Sequence, residues 1–189
     1  MVVEFLLLTH CAVLDLYSMY VLPNTGRYDE WVDMRSWDST LHFIHEVFGE
    51  ITFTSIEPEV FMVDPVDYED SIDDVQLRGY LAIPDETWAR PLPAVVIVPD
   101  WDGANQYEQQ RAHLLAEQGY VAMVADIFGA DKQEGLTIDE RVAETTFYGS
   151  NPDVFVRRMQ LAIDQVKAVE IVSGDDVALV SHIVSVMLC

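Results

Sequence analysis

Lysine is almost missing from this sequence. Lys132 and Lys167 are the only two, and with arginine the chain carries 10 bases against 33 acids, a formal net charge of -23. Such a surface repels phosphate backbones and anionic headgroups, so it argues against nucleic-acid or membrane-surface partners. It suits a salty medium, where repulsion is screened, and otherwise reads as a solvated acidic face. Cysteine is scarce too. Cys11 and Cys189 sit near opposite termini and form neither a disulfide framework nor a metal spacing, which leaves the redox compartment open. Long apolar runs are missing as well. Phe5 to Leu8 is an apolar stretch without a basic flank, next to Glu4 and interrupted by His10 and Asp15. It is too short to span a bilayer and makes a poor signal peptide, so a cytoplasmic location is expected, with secretion as the alternative. No GxGxxG, P-loop or CxxC pattern occurs, and no internal repeat.

What is present is a core. Half of the 189 residues are hydrophobic, which weighs against global disorder and suffices for one domain of ordinary size. The clearest organisation lies in residues 94–129. Ala94 to Val98 is a continuous, β-branched apolar run, the signature of a strand buried on both faces. Pro99-Asp100-Trp101-Asp102-Gly103 is a turn signal, Gln106 to Gln118 a helix stopped by Gly119, and Tyr120 to Ala125 a second buried strand. Strand, helix and strand in so short a space make a right-handed βαβ unit with a parallel sheet. Ligands bind at the carboxyl ends of such strands, which directs attention to Pro99–Asn105 and Asp126–Asp131.

The flanks are less distinct. Residues 1–22 fit a short apolar helix or a strand, and Pro23 to Gly26 a turn. Trp31, Met34 and Trp37 fit one face of a helix, and Ser39 could cap a second helix over Leu41 to Phe48. Residues 51–63 alternate as a strand does. Val75 to Pro84 is an alternating strand whose partner is expected near 60–68. A helix is expected at Thr137 to Thr145. Another, from Pro152 to about Val169, has Asn151 as its N-cap and Asp153 near its positive end. Ser173 to Asp176 reads as a turn and Val177 to Val180 as the next buried strand. The composition changes near Asp64-Pro65, dividing the chain into an N-terminal extension, 1–63, of unassigned role and a domain over 64–189.

Residue chemistry alone offers few sites. His42, His45 and Glu46 have helical spacing but not the HExxH order, so packing on an amphipathic helix is the plainer reading and no metal site is assigned. His113 reads as a surface or packing residue. Ser181 and His182 are strand neighbours and point to opposite faces, so they cannot pair. Cys189 is a terminal thiol without context. Asp126 is expected to hydrogen-bond a loop, and Asp100 and Asp102 to be solvated or to cap the 106–118 helix.

The order of pieces over residues 75–180 resembles the dienelactone hydrolase family of α/β-hydrolases. LRGYLAIP, PAVVIVPDWDGAN, RAHLLAEQGYVAMVADIFG, MQLAIDQVKAV and DDVALV carry the resemblance, and DWDGAN followed by LAEQGYVAMVADIFG is its specific part. The implied fold is α/β: part of an α/β-hydrolase fold, a mostly parallel sheet with flanking helices, its C-terminal half missing. The implied reaction is hydrolysis of a small-molecule ester or lactone by a Cys (or Ser), His and Asp triad, with no metal or organic cofactor. Asp100 matches an acidic position, usually Glu, that contacts the nucleophile. Trp101 matches the position whose backbone N–H helps form the oxyanion hole, and Gly103 lets that loop turn. The sequence departs from the pattern at the elbow. Where the family has G-x-C-x-G, this chain has Ser181-His182-Ile183-Val184-Ser185, so Ile183 occupies the nucleophile position and no catalytic residue is assigned. The matching Asp and His would fall beyond Cys189.

Three expectations follow. The chain is a family member that does not perform triad catalysis. Alternatively, it is a non-catalytic binding or regulatory remnant that pairs with another chain. Or the ending VSHIVSVMLC comes from an alternative transcript and has no structural role. An open sheet edge at 177–189 is expected to drive self-association.

Overall fold

The computed structural model describes residues 30–48, 60–84, 90–132 and 135–181. The expectations for residues 1–22, the turn at Pro23 to Gly26, the alternation over 51–59, and His182, Ile183 and Cys189 lie outside these residues. In chain order the elements are α1 (Glu30–Phe48), β1 (Val60–Asp70), β2 (Val75–Pro84), β3 (Leu92–Val98), α2 (Gln106–Glu117), β4 (Val121–Val124), a 3-10 turn (Ala130–Lys132), α3 (Ile138–Ser150), α4 (Pro152–Lys167) and β5 (Val172–Ser181).

The five strands form one sheet in the order β1-β2-β4-β3-β5. β3 pairs in parallel with β4 and with β5, while β2 runs antiparallel to both β1 and β4. The sheet is therefore parallel through its βαβ part and closed at one side by a hairpin. That hairpin is tight against β4 at Gly79, where a Cβ would stand 2.7 Å from Val124 O and from Met123 Cε. Only glycine lets the two backbones come so close.

Helices cover both faces. On one, α4 buries Phe155, Met159, Ala162, Ile163 and Val166, the i, i+4, i+7, i+8, i+11 set of an amphipathic helix, against Val96, Val121 and Met123. On the other, α2 sets Ala112, Leu115 and Ala116 on Val95, Ala122 and Val124, and α1 adds Ile44. Side chains alternate along β3, with Ala94, Val96 and Val98 on the first face and Val95 and Ile97 on the second. Both faces are apolar because both are covered, which is why the sequence shows a continuous run and no alternation. Truncating a fully buried member such as Leu115 to Ala costs about 2–5 kcal/mol at such sites. Among the described residues no helix is long and apolar enough to cross a membrane.

Several local expectations change. Residues 30–48 form one uninterrupted helix where two were expected, so Ser39 lies mid-helix, and Met34 is 54% exposed, not on the packed face with Trp37. β3 begins at Leu92, two residues early, because its amide bonds to Ile171 O at 2.8 Å. Ser173 to Asp176 is an irregularity inside β5, not a turn before it: the register with β3 shifts between Leu92 and Ala94. Asn151 stands at the N-cap of α4, but its side chain donates to Phe147 O at 2.8 Å instead of capping.

Candidate functional site

β3 and β5 run side by side and end level, with Val98 opposite Ser181. The Pro99–Asn105 loop leaves the sheet at this end, and the Ala125–Gly129 loop leaves β4 beside it. Asp100 is buried at 4% exposure, so the expectation of a solvated carboxylate is wrong. Its Oδ1 accepts the Trp101 amide at 2.7 Å, and its carbonyl accepts the Gly103 amide at 2.9 Å, closing a tight turn. Gly103 makes that turn with φ +82°, the left-handed region that favours glycine. A Cβ there would meet the Phe128 ring at 3.3 Å. The two loops are thus in contact through a glycine and a phenyl ring.

The helix cap is not Asp100 or Asp102 but Asn105. Its Oδ1 accepts the Tyr107 amide at 2.8 Å, and Glu108 Oε2 returns to accept the Asn105 amide at 3.0 Å, a complete capping box. Asn105 Nδ2 also donates to Gly103 O at 3.2 Å, so the cap and the turn are one unit. Glu108 is only 2% exposed. Burial pushes its carboxyl up to about 8, and the charges of Asp102 and Asp100 add to the effect, partly offset by the Asn105 amide. Burial likewise raises the Asp102 carboxyl, against the opposing charge of Arg141.

Arg141, on α3, donates through Nη1 to Asp102 O and through Nε to Leu136 O at 3.2 Å. It clamps the 100–103 loop from the next helix. α3 is fixed at its start by a second capping box: Thr137 Oγ1 accepts the Glu140 amide at 3.3 Å, and Glu140 Oε2 accepts the Thr137 amide at 2.8 Å.

The neighbouring loop hangs on Asp126, in the structural role expected of it. Oδ1 accepts the amides of Phe128 and Gly129 at 3.0 and 2.9 Å, and Oδ2 accepts the Arg78 amide of β2 at 2.9 Å. Tyr68 OH accepts the Asp126 amide at 2.9 Å, which ties the loop to β1 as well. Phe128 stacks on Tyr148, centroids 5.5 Å apart, and Arg158 donates to Tyr148 OH at 2.7 Å. Arg158 also bonds Asp70 at 3.1 Å, and Arg157 grips Asp70 through two bonds of 2.9 Å. Burial alone would raise the Asp70 carboxyl. The bonds from the two arginines together outweigh it and hold the group below the usual range.

Asp100, Trp101 and Gly103 thus share one turn at the expected end of the sheet, with Asp100 and Gly103 buried and Trp101 half-buried. Sequence reading missed Glu108 and Arg141. Glu108 had a signal, since N-x-x-E before an apolar face is a capping box. Arg141 had none, because its contact spans 39 residues. The three histidines among the described residues are not part of this site as its contacts define it. His42 is exposed, His45 stacks beside Tyr120 at 6.4 Å, and His113 pairs with Glu117 at 3.3 Å on the surface. Among the described residues no three His, Cys, Asp or Glu side chains are grouped to hold a metal ion.

Comparison with known proteins agrees with the geometry. The chain is similar to the crystal structure of a dienelactone hydrolase-like promiscuous phosphotriesterase from metagenomic libraries, with 27% identity and a TM-score of 0.57 over 67% of this chain and 49% of that one. It shares its fold with a second solved structure, m3DLH, at 24% identity and a TM-score of 0.59, over 65% of this chain and 49% of that one. The chain therefore spans about half the length of these structures. No curated protein matches it. The family model for dienelactone hydrolases matches residues 77–182, more than half of the sequence, from β2 to just past β5. By that match the protein belongs to the dienelactone hydrolase family.

Proposed function

We propose that this chain supplies the oxyanion side of a hydrolase site for small esters or lactones, and that it does not turn them over by itself. The observation that carries the reading is the turn at the end of β3, where the Trp101 backbone N–H is held on the buried Asp100 carboxylate, which would have to release it to an oxyanion. A backbone N–H held rigidly at a strand end is the donor that a tetrahedral oxyanion needs. Asp100 stands as the acid facing a nucleophile, and Gly103 as the residue that keeps the turn tight. The nucleophile position falls on Ile183, whose side chain holds no electron pair to attack a carbonyl.

The test is hydrolysis of p-nitrophenyl acetate by the purified chain beside Asp100→Ala. The expected result is no turnover above buffer for either. Turnover abolished by a thiol reagent would assign the chemistry to Cys11 or Cys189 and overturn the placement of Ile183. Turnover lost only in the variant would make Asp100 part of a working site and overturn the claim of inactivity.

A second reading is favoured by one feature. β5 pairs only with β3 and lies at the edge of the sheet among the described residues. Edge strands recruit other strands, and the chain is proposed to self-associate there with a second copy. Light scattering over a concentration series should then show dimers or larger species. A monodisperse monomer at all concentrations refutes it.

A further inference from the structure

The loop that follows β4 is held from two sides by opposite charges. Its N–H groups meet the Asp126 carboxylate, which accepts the amides of Phe128 and Gly129. Its carbonyls meet a guanidinium. Arg158 Nη1 donates to Ile127 O and lies 3.3 Å from Phe128 O. Ile127, Phe128 and Arg158 are all buried. Buried carbonyls outside a helix or a sheet must find a donor, and here one arginine serves two in succession. The same nitrogen donates to Tyr148 OH at 2.7 Å, and Tyr148 OH donates to Phe128 O at 3.3 Å. Nη1 has two hydrogens for these three oxygens, so at least one bond is shared.

Arg158 is itself placed from further away. Its Nε donates to the buried Asp70, at the end of β1, at 3.1 Å, and Arg157 holds the same carboxylate through two bonds of 2.9 Å. A guanidinium is planar, so a bond at Nε and bonds at Nη1 together fix its plane. On the other side of the loop, the Phe128 ring stacks on Tyr148 with an interplanar angle of 16°. It also lies so close to Gly103 that a Cβ there would meet it at 3.3 Å. Contacts therefore run unbroken from Asp70 through Arg158 and Phe128 to Gly103. The Gly103 amide donates to Asp100 O, and the Asp100 carboxylate holds the Trp101 N–H. We infer that Arg158 is a positioning residue for the Asp100–Gly103 turn: by fixing the carbonyls of Ile127 and Phe128 it seats the Phe128 ring against Gly103, and so sets where the Trp101 N–H points. Its bearing on ester or lactone hydrolysis rests on the oxyanion reading of that turn; its action on the turn does not.

The experiment is NMR of the isotope-labelled full chain and needs no substrate, so the inference and the hydrolase reading fail separately. The ring current of Phe128 shifts the Gly103 α-protons, and exchange of the Trp101 amide reports its bond to Asp100. Arg158→Lys keeps the charge and loses the planar fork. Tyr148→Phe keeps the stacked ring and removes one oxygen. Both should move the Gly103 α-protons towards ordinary glycine positions and speed Trp101 exchange at least several-fold. Tyr148→Phe, the milder change, decides the matter if Arg158→Lys does not fold. Val166→Ala opens a cavity under the same helix, about two turns beyond Arg158, and should leave the Gly103 signals in place. Unmoved Gly103 signals in a folded Arg158→Lys or in Tyr148→Phe overturn the inference. An equal shift in Val166→Ala does so too, because it would trace the effect to general loosening of α4. Phe128→Leu tests the route. With the ring gone, adding Arg158→Lys should change Trp101 exchange little further, whereas fully additive effects would exclude Phe128 as the link.

Discussion

Oδ1 of Asp100 accepts the backbone N–H of Trp101 at 2.7 Å. The donor that an oxyanion would use is thus already engaged by a carboxylate in the resting turn. The Trp101 amide should exchange with solvent slowly in the native chain and at least several-fold faster in Asp100→Ala. Amide exchange followed by NMR reads this directly. Equal rates would mean that the turn, not the carboxylate, protects the amide.

Gly103 is strained for any other residue. With φ +82° and the Phe128 ring 3.3 Å from where a Cβ would stand, Gly103→Ala meets both a backbone and a packing penalty. A loss of about 1–3 kcal/mol is expected in chemical denaturation. Gly103→Ala combined with Phe128→Leu should recover the packing part only, and full recovery would show that the backbone carries no strain.

Tyr120 is fully buried beside Phe48, yet its hydroxyl finds no partner among the described residues, and burial pushes it up to about 12. An unsatisfied buried hydroxyl costs stability. Tyr120→Phe keeps the ring and removes the oxygen, so the protein should gain about 1 kcal/mol. Thermal or urea unfolding checks the sign. A loss would reveal a hydrogen bond to that oxygen.

Asp70 is 1% exposed and fastens α4 to the hairpin through Arg157 and Arg158. Asp70→Asn leaves the buried Arg158 without its anion and should cost about 3 kcal/mol or more. The native carboxyl lies below its usual range, so its stabilisation is present above the unfolded value of about 3.9 and is lost as pH falls through the folded one. The gap between native chain and variant should therefore be full at pH 7 and close in acid. A gap that persists at pH 2 would place the loss in packing, not charge.

The central βαβ unit was legible because periodicity and punctuation agreed there: a β-branched run, Gly103 and Gly119 as breaks, and apolar spacing along α2. The hairpin of β1 and β2 was legible from alternation. What escaped the sequence is what depends on distance along the chain. Asp100 looked solvated because acids in loops usually are; it is buried in a turn whose Asp102 is held by Arg141 and whose Gly103 lies against Phe128. Asp102 looked like a cap, but Asn105 with Glu108 offers two bonds where Asp102 could offer one. Arg141, Arg157 and Arg158 gave no local sign of their partners, which lie 39, 87 and 88 residues away. The two helices expected in residues 30–48 merge because Ser39 sits in an otherwise helix-compatible run, where nothing forces a break.

The mixed sheet also sets an order of assembly. β1 and β2 pair across a four-residue turn, Asp70 opposite Val75, so this hairpin can zip within its own stretch of chain. β5 must find β3 from far away: Ala94 lies opposite Val177. Closing so long a loop is entropically slow, and parallel pairing gives no local nucleus. During synthesis the hairpin, β3, α2 and β4 all leave the ribosome before β5 exists. Until β5 docks, β3 is itself the bare edge of the nascent sheet. The interval before that docking is when this protein is most exposed to mispairing, and a chaperone that shields β3 would act then.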